Sequence, residues 1–110
     1  MKKLIVNSHD SLRVIAHSDI TFCKSDNCYT SIFLNTGEEL VMCRSIKKIS
    51  EALEGTSFIR VNRSYLINRE SIKLVDKKNK HVELNGGECI PYTTSLANLV
   101  NMISDGMAVL

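Results

Sequence analysis

Short apolar or alternating runs, each bounded by Asn, Ser, His or Asp, occupy the first two-fifths of the chain: Lys2 to Val6, Leu12 to Ala16 and Ile20 to Lys24. Such runs are strand patterns, because successive side chains on an extended backbone point to opposite faces. Tyr29 to Leu34 and Glu39 to Cys43 follow, flanking Asn35-Thr36-Gly37-Glu38. The glycine of so short a link can supply positive φ, so these two runs are expected to pair antiparallel. At Ser45 the period changes: Ile46, Ile49 and Leu53 recur at helical spacing, Ser45 is placed to cap the free amides, and Gly55 can end the helix left-handed. One short helix, Ser45 to Glu54, is expected. Strand patterns return at Phe58 to Val61, Tyr65 to Asn68 and Ile72 to Asp76, then, after a polar turn at Lys77 to Lys80, at His81 to Leu84. Asn85-Gly86-Gly87 is a second hairpin signal leading into Glu88 to Tyr92. Leu96, Leu99, Val100 and Ile103 form the i, i+3, i+4, i+7 set of a C-terminal amphipathic helix, capped by Thr93, Thr94 or Ser95. Pro91, the only proline, falls where the last strand yields to that helix, a place that tolerates its missing N–H. No internal repeat or low-complexity segment is evident. The fold class is therefore mainly β, with one short central helix and a C-terminal helix.

Length and composition fit this pattern. At 110 residues the chain suits one hydrophobic core, and a single domain over residues 1–110 is expected. The hydrophobic share of 44% and charged share of 24% are those of a soluble globular protein. The apolar runs are too short to cross a bilayer. Met1-Lys2-Lys3 begins like a signal peptide, but Asn7, Ser8 and His9 break the apolar stretch after Val6. A cytoplasmic location without membrane contact is expected.

Charge is informative in its distribution more than in its total. The net charge is only +2, yet residues 44–80 hold ten basic residues against four acidic ones, a local excess of +6, and residues 81–110 contain no Lys or Arg. That middle segment is a candidate face for a polyanion, with a solvated lysine surface as the plainer alternative.

The four cysteines, Cys23, Cys28, Cys43 and Cys89, lie within or beside strand-like runs without a secretion signal, so buried or half-buried free thiols are expected rather than disulfides. A zinc site is disfavoured, since four residues separate Cys23 from Cys28 and neither Cys43 nor Cys89 has a close partner. An enzyme would need a nucleophile or a paired acid and base, and the candidates are these thiols with His9, His17 and His81. Cys23 and Cys43 fall where a small hydrophobe fits, each histidine is flanked by polar residues and expected to be solvated, and no glycine-rich elbow or phosphate loop occurs. No enzymatic role, cofactor or metal is expected.

The segment Phe58 to Arg69 is more pointed. Ile59, Val61, Tyr65, Leu66 and Ile67 can anchor two strands, leaving Asn62, Arg63 and Ser64 in the connection between them. A guanidinium, an amide and a hydroxyl at one sheet end are suited to phosphate oxygens and a guanine edge. The alternative is that Arg60 and Arg63 simply pair with Glu51, Glu54 or Glu70 at the surface.

Phe58, Arg60, Arg63, Ser64, Tyr65, Leu66, Ile67 and Asn68 also match the pattern of the LytTR-type DNA-binding domains of bacterial transcriptional regulators, and the chain resembles that family over about residues 19–99. Asp19-Ile20, Phe22, Tyr29-Thr30, the Gly37 turn and Ser45-Ile46-Lys47 precede in the family's order, and Ile72, Leu84, Asn85-Gly86 and Ile90-Pro91 continue it. The resemblance implies an elongated fold of small antiparallel sheets that binds double-stranded DNA sequence-specifically, docking loops into successive major grooves. Carried over by position, one loop is Ser25 to Tyr29, with Cys28 or Tyr29 near its contact point. A second is Val61 to Ser64, with Arg63 aimed at bases and Asn62, Ser64 and Tyr29 orienting or assisting it. The third follows Pro91, around Thr94. Lys47, Lys48 and the rest of the 44–80 basic segment would neutralise phosphates. Asn62 departs from the family's usual histidine, and Thr94 from its usual Arg or Lys; threonine cannot make a bidentate guanine contact. The implied partners are duplex DNA, in direct repeats, with possible self-association on it, and a receiver domain or sensor partner outside this chain. The rival is a protein-interaction module of the same fold with weakened or lost DNA binding. Single-stranded nucleic acid is a lesser alternative, because three Phe, three Tyr and no Trp make a poor stacking platform.

Overall fold

The computed structural model describes residues 2–7, 9–105 and 107–110, so Met1 and Ser8 of the N-terminal pattern lie outside the described residues. In chain order the elements are β1 (Lys3–Asn7), β2 (Leu12–Ala16), a 3-10 turn (His17–Asp19), β3 (Ile20–Asp26), β4 (Tyr29–Leu34), β5 (Glu39–Met42), α1 (Ile46–Ala52), β6 (Phe58–Arg60) and β7 (Tyr65–Asn68). A second 3-10 turn (Arg69–Ser71), β8 (Ile72–Asp76), β9 (His81–Leu84), β10 (Cys89–Pro91) and α2 (Leu96–Ile103) complete it.

Among the described residues all strand pairs are antiparallel and form three small sheets: β1-β2, β5-β4-β3-β7-β6 and β10-β9-β8. The molecule measures 47 × 30 × 24 Å, the elongated mainly β form expected. Two cores run along its length. One joins Val6, Ile15, Ile20, Cys23, Ile32 and Leu34 to the buried face of α1, Ile46, Ile49 and Leu53. The other joins Phe22, Ile59, Val61 and Ile67 to Val82, Leu84, Ile90, Tyr92 and Leu99. Phe22 and Ile67 face one core while Cys23 and Leu66 face the other, so the five-stranded sheet is the wall between them. Phe22 stacks on Phe33 at 4.3 Å on the second side.

Local chemistry explains the element ends. Ser45 Oγ accepts from Lys48 N at 3.2 Å and caps α1, and Gly55 takes φ +76° just beyond it. Ser95, not Thr93 or Thr94, caps α2 by accepting from Asn98 N. The burial stripe of α2 also differs from the expected one: Leu99 is fully buried and Met102 and Ile103 half-buried, while Leu96 and Val100 face outward. Asn68 is completely buried and holds the chain at the second 3-10 turn. Its Oδ1 accepts from Ser57 Oγ and Glu70 N, and its Nδ2 donates to the carbonyls of Ile20 and His17.

Several expectations need correction. Of the cysteines only Cys23 is buried, its thiol pushed up to about 12 by desolvation; Cys28 sits in a turn, Cys43 falls past the end of β5, and Cys89 points outward on β10. His17 is half-buried rather than solvated, edge-on to Phe58 at 6.0 Å, and desolvation lowers its pKa. His81 is half-buried as well, 3.7 Å from Asp76.

The absence of an internal repeat is also corrected. A 3-10 turn, a bulged hairpin, a glycine turn, a short strand and a Ser-capped helix occur twice, at residues 17–52 and 69–103. Leu34 N bonds Glu38 O and Leu84 N bonds Glu88 O; Gly37 N bonds Leu34 O and Gly87 N bonds Leu84 O; Asn35 N bonds Asp19 O and Asn85 N bonds Ser71 O. The bulge between Ile20 and Phe22 recurs between Ile72 and Leu74, and Leu40 opposite Ile32 recurs as Ile90 opposite Val82. The two hairpins differ in length, so the register between copies shifts midway, and few residues outside the glycine turn and the serine cap are identical. That hid the repeat from pattern reading.

Candidate nucleic-acid interface

Because the strands alternate in direction, successive turns fall on opposite long edges of the molecule. One edge carries the β3–β4 turn, the segment before α1, the β6–β7 loop, the β8–β9 turn and the segment before α2. The other carries both 3-10 turns and both glycine turns, which together line a cavity of about 660 Å³.

On the first edge, hydrogen bonds tie the loops into one unit. Ser25 N donates to Ser64 O at 2.8 Å, linking the β3–β4 hairpin to the β6–β7 loop. Thr93 N donates to Val61 O at 3.0 Å, and Asn62 Nδ2 donates to Pro91 O, linking that loop to the segment before α2. Asn62 Oδ1 accepts from Ser64 N at 2.7 Å, so both ends of its amide are used inside the protein. Arg60 braces the same loop from the β6 side, its Nε donating to Asn62 O and its Nη2 to Arg63 O.

These bonds leave the side chain of Arg63 exposed, with no hydrogen bond or ion pair among the described residues. The alternative of pairing with Glu51, Glu54 or Glu70 is not what the structure holds for either arginine. A guanidinium with five free donors on an immobilised loop is suited to a phosphate or a guanine edge, since little loop entropy is lost when it binds. Arg60, Val61, Asn62, Arg63, Thr93 and Thr94 line one shallow depression, so Thr94 does lie beside the Arg63 loop.

The first expected loop is tighter than anticipated. β3 runs on to Asp26, leaving Asn27 and Cys28 as a two-residue turn, with Asn27 at φ +56°. Cys28 is exposed at its tip and Tyr29 opens β4 with 49% of its surface exposed. Lys47 and Lys48 are exposed on α1, and no hydrogen bond or ion pair joins them to Arg63. Their helix is tied to the hairpin through buried Thr30, whose Oγ1 donates to Arg44 O at 2.7 Å.

Sequence reasoning missed another residue of this edge. Lys24 lies outside the basic segment, yet its Nζ sits 5.9 Å from the centre of the Tyr65 ring, beside the loop. Lys77 and Lys80, already within the expected basic segment, line a second depression with Thr93, Thr94 and Ser95. The position of Lys24 near the end of a strand that runs toward this edge is the signal that could have found it. Among the described residues no group of three or more His, Cys, Asp or Glu is placed to hold a metal ion, and no helix is long and apolar enough to cross a membrane.

A β scaffold that presents loops, one of them with an unpartnered guanidinium, at a basic edge defines a loop-based polyanion binder. The chain belongs to the LytTr DNA-binding domain family, whose pattern matches residues 10–104. It is 32% identical over 71 residues to the sensory transduction protein LytT of Oceanobacillus iheyensis, a match covering 64% of this chain and 29% of that protein. The chain thus spans under a third of this curated relative. Its fold matches that of a solved LytTr DNA-binding domain of a putative methyl-accepting/DNA response regulator from Bacillus cereus, with a TM-score of 0.74 and 19% identity over 94% of this chain and 97% of that one. The family is one of DNA-binding domains and not of enzymes, and membership makes DNA binding in transcription regulation the role of this chain.

Proposed function

We propose that the chain binds double-stranded DNA sequence-specifically, as a cytoplasmic bacterial transcription regulator or the output domain of one, with three loops entering successive major grooves. Arg63 reads a base edge, Ser64, Cys28, Tyr29 and Thr94 contact the groove around it, and Lys47 and Lys48 neutralise phosphates. Asn62 contributes by holding the loop, with Oδ1 accepting from Ser64 N and one N–H of Nδ2 donating to Pro91 O. The observation that carries this reading is the exposed, unpartnered Arg63 guanidinium on a loop whose neighbouring polar groups are bonded internally. Direct repeats as the target, self-association on DNA and control by a receiver domain or sensor partner outside these residues belong to the same proposal.

A second reading follows from the family resemblance. Thr94 falls where that resemblance implies Arg or Lys, which fits an interaction module of the same fold with weakened DNA contacts. Selection from a random duplex pool, followed by titration of the enriched duplex against salt, separates the two. The DNA reading expects an enriched direct repeat and steep salt dependence, and Arg63→Ala should lose about 1–3 kcal/mol and relax one base position. No enrichment over the starting pool favours the interaction module, while undiminished selectivity in Arg63→Ala refutes the assignment of that residue.

A further inference from the structure

The edge opposite the DNA-reading loops holds a cavity of about 660 Å³, enclosed by the two glycine turns and the two 3-10 turns, that the function above leaves unused. Its walls are fixed. Asn35 N bonds Asp19 O and Asn85 N bonds Ser71 O, so each glycine turn is latched to its 3-10 turn, and buried Asn68 braces the space between them. Phe33, Leu34 and Leu84 give the lining apolar surface, while the exposed Glu70 and Glu88 are its charged residues. Neither carboxylate has an ion pair or hydrogen bond among the described residues. The Glu88 carboxylate is folded over Gly86, close enough that a Cβ there would meet its Oε1 at 2.8 Å. Arg13 and Arg69 of the same edge are engaged elsewhere, by Glu38 and by Met102 O and Asp105. An apolar wall beside unpaired carboxylates suits a guanidinium, which lays its plane on apolar or aromatic surface and gives its N–H groups to carboxylate oxygens.

A guanidinium of that kind stands on the opposite edge of every copy of the chain. Arg63 is exposed and unpartnered, on a loop braced by Arg60 and Asn62. We propose that the cavity between the glycine turns binds the Arg63 side chain of a second copy, joining molecules head to tail when no DNA is bound. Charge complementarity selects this occupant, because one edge of the same molecule is basic and the other acidic, so approaching copies are steered edge to edge. Plug and socket lie on opposite edges, which makes the contact heterologous and leaves a free plug at one end and a free socket at the other. Copies therefore add in a row. In that row every Arg63 loop but the terminal one is covered, and a duplex that takes the same loop disperses the row. Only this competition with DNA rests on the DNA-binding reading above.

Sedimentation of the whole chain without DNA tests the contact. The average mass of the parent should rise with concentration up to about 1 mM at about 0.05 M salt, and fall to that of the monomer at about 0.5 M. Arg63→Ala keeps the socket, and the double variant Glu70→Gln with Glu88→Gln keeps the plug; each alone should stay monomeric. Mixed in equal amounts, they should form a dimer and nothing larger. All three positions are exposed, so the urea midpoints should not move. The double variant should bind the enriched duplex with the affinity and selectivity of the parent, and that duplex should disperse the rows of the parent. A parent that stays monomeric, a mixture that forms no dimer, a double variant that associates like the parent, or association indifferent to salt refutes the head-to-tail contact and leaves the DNA reading standing. A monomeric parent whose cavity amides shift on titration with acetyl-arginine amide would give the site to a foreign arginine and overturn the second copy as its occupant. Rows that form from a chain enriching no duplex would support the contact while the DNA reading falls.

Discussion

The two long edges of this domain are built by the same antiparallel turns and carry opposite chemistry. The loop-bearing edge presents Lys24, Arg44, Lys47, Lys48, Arg60, Arg63, Lys77, Lys78 and Lys80 against Asp26 and Asp76. The other edge presents Asp19, Glu38, Glu39, Glu70 and Glu88 against Arg13, which is paired with Glu38, and Arg69 of the second 3-10 turn, which lies 3.7 Å from Asp105. A nearly neutral total charge thus conceals a dipolar molecule, and a polyanion is attracted to one edge and repelled by the other. The edges also differ in how they use hydrogen bonds. On the acidic edge, polar side chains such as Asn68 are buried and close the fold. On the basic edge, Asn62 and Arg60 hold a loop so that Arg63 stays free. One edge supplies stability and the other presents chemistry, and substitutions should separate the two.

The largest effect belongs to the acidic edge. Asn68→Ala removes an amide that satisfies two main-chain carbonyls, one main-chain amide and the Ser57 hydroxyl, all in or near the core. Leaving buried carbonyls without donors costs about 1–3 kcal/mol each, so the variant should lose about 3–4 kcal/mol, a large part of the stability of a small domain. Urea denaturation measures this directly. The fraction that remains folded should still bind the selected duplex with unchanged selectivity. Altered base preference in Asn68→Ala would mean that the edges are not independent.

Legibility in the sequence followed the same division. Strands, glycine turns and serine caps rest on local periodicity and local bonds, and Gly37, Gly55, Ser45 and the alternation from Tyr29 to Leu34 announced them. The place of Arg63 in an exposed connection between two strands was legible too, because the strand patterns on either side leave it there. What could not be read were pairings between residues distant in the chain. Nothing near Asn62 in sequence points to Pro91, and nothing near Asn68 points to Ile20. Cys28, Cys43 and Cys89 were misjudged because a thiol reads as a small hydrophobe, while exposure depends on where strands end. The duplication escaped because hairpins of unequal length break its register.

Asn62 tests whether positioning and contact can be told apart on the basic edge. Asn62→Ala should cost about 1 kcal/mol of stability, for two partly exposed bonds, and should also weaken DNA binding several-fold by releasing the loop that holds Arg63. Combined with Arg63→Ala the losses in binding should be less than additive, since a misplaced loop matters only while the guanidinium is present. Strict additivity in the double-mutant cycle would make Asn62 an independent contact and refute its role as a brace.

The smallest effect concerns the β8–β9 turn. Asp76 accepts from the main-chain and side-chain N–H groups of Asn79, and these bonds, with a nearby His81, hold its pKa below the usual range. A depressed carboxylate stabilises the fold above its unfolded pKa, and that contribution disappears as pH falls through the folded value. Asp76→Ala should therefore lower the melting temperature slightly near neutral pH. As pH falls through the folded value the difference should shrink, and it should vanish once the parent carboxylate is protonated in both states. Lys77 and Lys80 flank this turn beside Thr94, so the same substitution should leave the salt slope of DNA binding within error of the parent. A changed slope would show that the carboxylate sets the field of the basic edge and not merely the shape of one turn.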